Sequence, residues 1–202
     1  MTIKIDKEKL LMVEGKDEIN FFNSLLISID ISDVQVMEVG GKFNFKNVFP
    51  GITKMSDFNS VKSYGIVRDA DDNHDDTLCS IIDLLKKYKQ PYPSTSGKIV
   101  DKNNKKVGIF IVPDNNQAGM LETLCLKSIE DLPENDCVES YFECLKNVDS
   151  IPSNMYKAKL QAYLASREKY CPSLGIGAQK KYFDFNNKIF SDLKLFLSNL
   201  FI

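Results

Sequence analysis

Four apolar, β-branched stretches alternate with segments of helical periodicity, and that alternation restricts the fold more than any other feature of the chain. Residues 10–13, 34–39, 64–67 and 107–112 read as strands. Gly15 follows the first strand, after which Ile19, Phe22, Leu25 and Leu26 fall on one helical face. Gly40-Gly41 ends the second strand and leads into residues 43–55, a helical pattern expected to break at Pro50-Gly51. The third strand runs into the acidic stretch 68–76, and a helix with Leu78, Ile81, Ile82 and Leu85 in phase follows. The expected fold is α/β: a Rossmann-like, mostly parallel sheet flanked by helices. In such sheets ligands gather beyond the carboxyl ends of the strands.

The stretch 90–106 is different in kind. Pro91 and Pro93 stop the preceding helix, and residues 98–100 join the fourth strand through Asp101-Lys102-Asn103-Asn104, the signature of a β-hairpin insertion. Helical patterns then cover 136–147, 153–168 and 186–200, with a glycine-containing loop expected at 172–178. Apolar residues at 189, 190, 193, 196, 197, 200 and 201 give the last helix one docking face. With no repeat and no linker, 1–202 is expected to be a single domain, a core over about 8–130 with a helical extension over about 131–202.

Composition narrows the function classes. A net charge of −2 announces no nucleic-acid partner by itself, although a local basic surface remains compatible with one. One histidine and five cysteines without a C-x-x-C pair leave no zinc-site pattern. The cysteines are expected to be reduced core residues in a cytoplasmic protein. No apolar run reaches the roughly 18 residues that span a bilayer, so no membrane partner is expected.

The chemistry lies in carboxylates at strand ends. Glu14 follows the first strand, and Asp69 and Asp71 follow the third. Two residues apart in extended chain, Asp69 and Asp71 could face one point while Ala70 faces away. Hard oxygen donors converging there suit magnesium or manganese. Without a cation such carboxylates raise one another's pKa, and Arg68 and Lys16 are near enough in sequence to offset part of that charge. Alternatively, residues 69–76 form a solvated acidic loop capping the next helix.

Two segments, Leu-Met-Val-Glu-Gly-Lys-Asp-Glu (11–18) and Gly-Ile-Val-Arg-Asp-Ala-Asp-Asp (65–72), resemble the Toprim domain. That domain is shared by topoisomerases, bacterial primases, a small ribonuclease and the OLD-family nucleases. The chain is more closely similar to standalone Toprim-like bacterial and archaeal proteins of unassigned function. That similarity continues through residues 110–124 and 179–185 and so covers nearly the whole sequence. The resemblance implies that Glu14 serves as general acid/base or metal ligand and that Asp69 and Asp71 coordinate magnesium. Strand passage and priming need further domains, which leaves a nuclease that uses metals, a water and phosphate clamps.

Further candidates stand at the same sheet edge. Asp114 and Glu122 could assist a second metal, or could instead begin a turn and favour a helix N-terminus. Gly41 and Lys42 could receive a phosphate after the second strand, as could Lys180 beyond the glycine-containing loop, although no Walker A spacing is present. Tyr182, Phe183 and Phe185 fit core packing better than base stacking, and His74 reads as an incidental loop residue. The expected function is metal-dependent phosphoryl transfer, most concretely a magnesium- or manganese-dependent nuclease acting on nucleic acid. The alternatives are a magnesium-dependent nucleotide or nucleic-acid binding module, and an effector subunit of a defence or toxin system controlled by an ATPase partner.

Overall fold

The computed structural model describes residues 4–202, with the side chains of Lys42 and Phe43 outside the description. In chain order its elements are β1 (Lys9–Val13), α1 (Lys16–Ser28), β2 (Val34–Glu38), α2 (Lys42–Lys54), a 3-10 turn (Ser56–Ser60), β3 (Ser63–Asp69) and α3 (His74–Lys87). Then come β4 (Ile99–Lys102), β5 (Lys105–Val112), α4 (Leu121–Ser128), α5 (Pro133–Lys146) and α6 (Met155–Ala165). The chain ends with α7 (Leu174–Gln179), a 3-10 turn (Lys188–Phe190) and α8 (Ser191–Phe201).

The strands form one sheet in the order β2-β1-β3-β5-β4. The first four are mutually parallel, and β4 pairs antiparallel with β5 at the edge. The sequence therefore delivers the α/β fold it announces, a mostly parallel sheet flanked by helices with a hairpin added. Asn103 and Asn104 turn that hairpin with φ of 57° and 60°, the paired left-handed conformation of a tight two-residue turn.

Alternate strand residues feed two separate cores, as a period of two demands. Leu11, Val13, Val67, Phe110 and Val112 face one side, where α1 and the C-terminal helices pack. Leu10, Met12, Ile66, Ile109 and Ile111 face the other, with Phe45, Phe49, Ile81 and Leu85 of α2 and α3. The docking face expected for the last helix is real: Leu193, Phe196, Leu197, Leu200 and Phe201 are all buried. Two strand glycines make its seat. Gly65 and Gly108 are register partners on β3 and β5. A Cβ on Gly108 would lie 2.8 Å from the Phe196 ring, and one on Gly65 would lie 2.8 Å from Leu200.

Three expectations need correction. Helix α2 continues through Pro50, placed in its last two turns, where the helix gives up one amide bond without ending. The stretch 172–178 is not a loop, because α7 occupies 174–179. Its glycines serve close packing: a Cβ on Gly175 would stand 2.5 Å from the backbone oxygen of Asp17 on α1. Of the cysteines, Cys125 and Cys171 are core residues, whereas Cys79, Cys137 and Cys144 are exposed. Among the described residues no helix is long and apolar enough to cross a membrane.

Candidate functional site

Glu14 and Asp69 sit where the sequence puts them, at the carboxyl ends of the central strands β1 and β3. Adjacent strands end side by side, so the backbone amide of Asp69 donates to Glu14 Oε1 at 3.4 Å. The same Glu14 oxygen receives Arg68 Nε in an ion pair. Arg68 is 2% exposed, lies over the Phe45 ring at 5.7 Å, and keeps one buried nitrogen, Nη2, without a hydrogen-bond partner among the described residues. A buried guanidinium with one orphan donor is costly unless a nearby anion compensates it, and Glu14 is that anion.

Asp69 faces the opposite side of the sheet. Its Oδ1 accepts the backbone N–H of Leu121 at 3.0 Å and so caps the first turn of α4 from a distant part of the chain. That bond and the helix end favour the charged carboxylate. They are outweighed: burial first, then the charges of Glu14, Glu122 and Glu18, push the Asp69 carboxyl well above the usual carboxylate range. Glu18 on α1 is raised too, by its own burial and then by Glu14 and Glu122. Glu122 sits in the first turn of α4, where Lys157 Nζ approaches it at 3.8 Å. Four carboxylates thus crowd one edge of the sheet, with Arg68 and Lys157 as partial counter-charges.

Glu18 carries no role in the sequence reading. The signal was nevertheless present, since Glu14 and Glu18 bracket the strand-to-helix turn with Gly15 between them. A Cβ on Gly15 would fall 2.9 Å from Glu18 Oε2, so the glycine leaves room for that carboxylate.

The remaining candidates divide. Asp71 is not the second tooth of an extended D-x-D comb. Strand β3 ends at Asp69, and Asp71 adopts a left-handed backbone, φ 51°, that Asp tolerates better than most residues. Its N–H and C=O pair with Gly119 at 2.9 and 2.8 Å, which ties the two loops together at the sheet edge. Asp71 lines a cleft together with Asp72, Met120 and Tyr156. Asp114 is engaged elsewhere: Oδ1 accepts from the amides of Asn116 and Gln117 at 3.1 and 2.8 Å, and Lys127 stands 3.6 Å from Oδ2. This is the turn-forming alternative. Gly41 N-caps α2 beside Glu14, and a Cβ there would lie 3.6 Å from Glu14 Oε2. Lys42 opens the helix, but its side chain is outside the described residues. Lys180 donates to the carbonyl of Tyr170 at 2.8 Å and lies over Tyr182. His74 is better anchored than an incidental loop residue, opening α3 with its Nε2 2.8 Å from Ser96 Oγ. Phe183 is buried, and Tyr182 and Phe185 pack against the core.

The sequence model of one protein family matches residues 8–202. The chain belongs to DUF3226. That family is described as a protein of unknown function. No curated protein matches this DUF3226 chain. Among solved structures it is similar to the C-terminal region of the OLD protein of Xanthomonas campestris pv. campestris. The form phased with mercury is 13% identical, with 95% of this chain and 86% of that chain covered and a TM-score of 0.40. The form phased with platinum is 14% identical over 95% and 84%, TM-score 0.40. The form phased with iodine is 13% identical over 96% and 98%, TM-score 0.37.

The donor chemistry at the DUF3226 sheet edge is uniform. Glu14, Glu18, Asp69 and Glu122 offer oxygen only, which suits a hard divalent cation and excludes a soft one. Asp69 Oδ2 accepts no hydrogen bond among the described residues. No three Asp, Glu, His or Cys side chains among the described residues stand close enough to hold one ion together. A cation would therefore have to draw the carboxylates inward, and their mutual repulsion is the force it would relieve.

Proposed function

We propose that the chain binds magnesium or manganese at this edge and uses it to hydrolyse nucleic-acid phosphodiesters. The observation that carries the reading is the buried Asp69 carboxyl at the end of β3, held by the Leu121 N–H at the start of α4, with burial and then Glu14, Glu122 and Glu18 pushing it above the usual carboxylate range. A fold gains nothing in stability from that crowding, and carboxylates so placed are a recurrent mark of a functional site. The resemblance of residues 11–18 and 65–72 to the Toprim domain supports the same assignment.

Asp69 and Glu122 would hold the cation together with Glu14 or Glu18, and Asp71 would approach from the cleft. When bound, the ion would supply charge neutralisation for a phosphate and acidify a water. The protein's own groups define the rest. Arg68 fixes Glu14 through Nε and so sets where the Glu14 carboxylate can accept a proton. Leu121 N–H orients Asp69 through Oδ1. Lys157, 3.8 Å from Glu122, places a positive charge where a phosphodiester would enter.

The test is incubation of end-labelled DNA and RNA, single- and double-stranded, with magnesium or manganese. Cleavage that disappears with chelator and in Asp69→Asn supports the assignment. Metal-dependent retention of nucleic acid without cleavage would replace the enzyme by a binding module. Neither cleavage nor retention would reject both.

A further inference from the structure

A cleft of about 590 Å³ is lined by residues that adjoin the acidic edge along the chain, although none of the four carboxylates lines it. It is lined by the bridged pair Asp71 and Gly119, by Met120, and by the start of α6 with Met155 and Tyr156, and Asn154 Nδ2 closes one side on Met120 Sδ at 3.7 Å. Met120 and the start of α6 both lead to the acidic edge. Met120 immediately precedes Leu121, whose amide holds Asp69. Lys157, the residue after Tyr156, reaches Glu122. Anything filling the cleft thus extends from the site that would take the phosphate.

The lining has a definite character. Tyr156 is 49% exposed, whereas Tyr163, two turns along the same helix, is 1% exposed. Tyr156 therefore lines the cleft rather than the core. Two thioethers, Met120 and Met155, add polarisable apolar surface and Ser153 adds a hydroxyl, while the Asn154 amide is engaged by the Lys157 N–H and Met120 Sδ. A flat aromatic body with a polar edge fits such a surface, and a nucleobase is that shape. The carboxylates of Asp71 and Asp72 in the lining disfavour a phosphate there without a cation, which places the sugar and base, not the phosphate, in the cleft. The volume lies within the roughly 300–1,000 Å³ of small-ligand clefts, room for a nucleoside but not for a stacked duplex.

We propose that this cleft receives the unpaired nucleoside next to the phosphate at the acidic edge, with its base stacked on Tyr156, so that the preferred substrate is single-stranded. The inference rests on the metal-dependent phosphodiester reading above. Bases inside a duplex are stacked on one another and cannot reach Tyr156 unless unpaired. Stacking tolerates any base, so selectivity for sequence is not expected.

The experiment is fluorescence anisotropy of a labelled short oligonucleotide with calcium replacing magnesium, using wild type, Tyr156→Ala and Tyr156→Phe of matched thermal stability. Deoxy and ribo strands are run separately, each as a single strand and as a blunt duplex. The expected result is tighter binding of the single strand than the duplex. Tyr156→Ala should weaken single-strand binding about tenfold to a hundredfold, while Tyr156→Phe stays near wild type. Either sugar meeting this pattern supports the proposal and tells which nucleic acid is bound. Equal binding by wild type and Tyr156→Ala, a preference for duplex, or no binding of either strand by wild type overturns it. Manganese titration of the same proteins separates the two failures. Manganese bound by wild type and lost in Asp69→Asn keeps the acidic site while the cleft assignment falls. Manganese binding unaffected by Asp69→Asn removes the reading beneath it.

Discussion

Replacing Asp69 by asparagine should stabilise the metal-free protein and abolish its stabilisation by magnesium. The side chains are isosteric, and the asparagine oxygen can still accept the Leu121 N–H now bonded at 3.0 Å. What disappears is a charge that burial, Glu14, Glu122 and Glu18 all oppose. Two like charges about 4 Å apart repel by roughly 4 kcal/mol at the dielectric typical near a protein surface, and less with distance. Arg68 on Glu14 and Lys157 on Glu122 cancel part of this repulsion. A net gain of about 1–2 kcal/mol at neutral pH remains, worth about 2–8 °C in Tm for a chain of this size. The pH dependence has a definite sign. Because the folded-state pKa is raised, the folded protein binds the proton more tightly than the unfolded chain. Wild type therefore loses stability as pH rises from the ordinary Asp range through the folded-state value. Below that range both states are protonated and the advantage of asparagine vanishes. Thermal denaturation in chelator, from acidic to neutral pH, measures this directly. With magnesium at about 100 times its Kd, wild type should gain about 2.7 kcal/mol and overtake the variant, which gains nothing. An asparagine variant less stable than wild type in chelator at neutral pH would refute the claim that the carboxylate is repelled.

Arg68→Met should cost roughly 3 kcal/mol, because it leaves the Glu14 carboxylate without its buried partner. Adding Glu14→Gln should recover much of that loss, and urea denaturation of the four-protein cycle gives the coupling. Gly108→Ala should destabilise by about 1–3 kcal/mol, since its methyl meets the Phe196 ring at 2.8 Å. Trimming Phe196 to leucine in the same chain should return part of it, again read from denaturation midpoints.

The parallel order of the sheet was legible because strands alternate with helical periods and β1, β3 and β5 carry apolar runs, the pattern of strands covered on both faces. Glu14, Asp69 and Glu122 were legible for the same reason, being tied to strand ends and a helix start. Glu18 was legible only as a neighbour of the strand-to-helix turn, because its place in the group comes from how α1 leaves β1, a matter of three-dimensional direction. Asp71 misled: spacing by two implies one face only while the chain stays extended, and the pairing with Gly119 bends it. Gly175 and Gly177 likewise read as loop residues, although their role is to let α7 approach α1 and Leu164, contacts more than ten residues away in sequence. The cleft at Tyr156 combines residues from three separated segments, and no local pattern announces it.

Whether a divalent cation binds at this edge is decided by calorimetric titration of manganese into wild type, Asp69→Asn and Glu122→Gln. Saturable binding by wild type, lost in Asp69→Asn and weakened at least tenfold in Glu122→Gln, is the expected result. Binding of equal strength in all three proteins, or none by wild type with or without an oligonucleotide present, would contradict a divalent-cation site at this sheet edge.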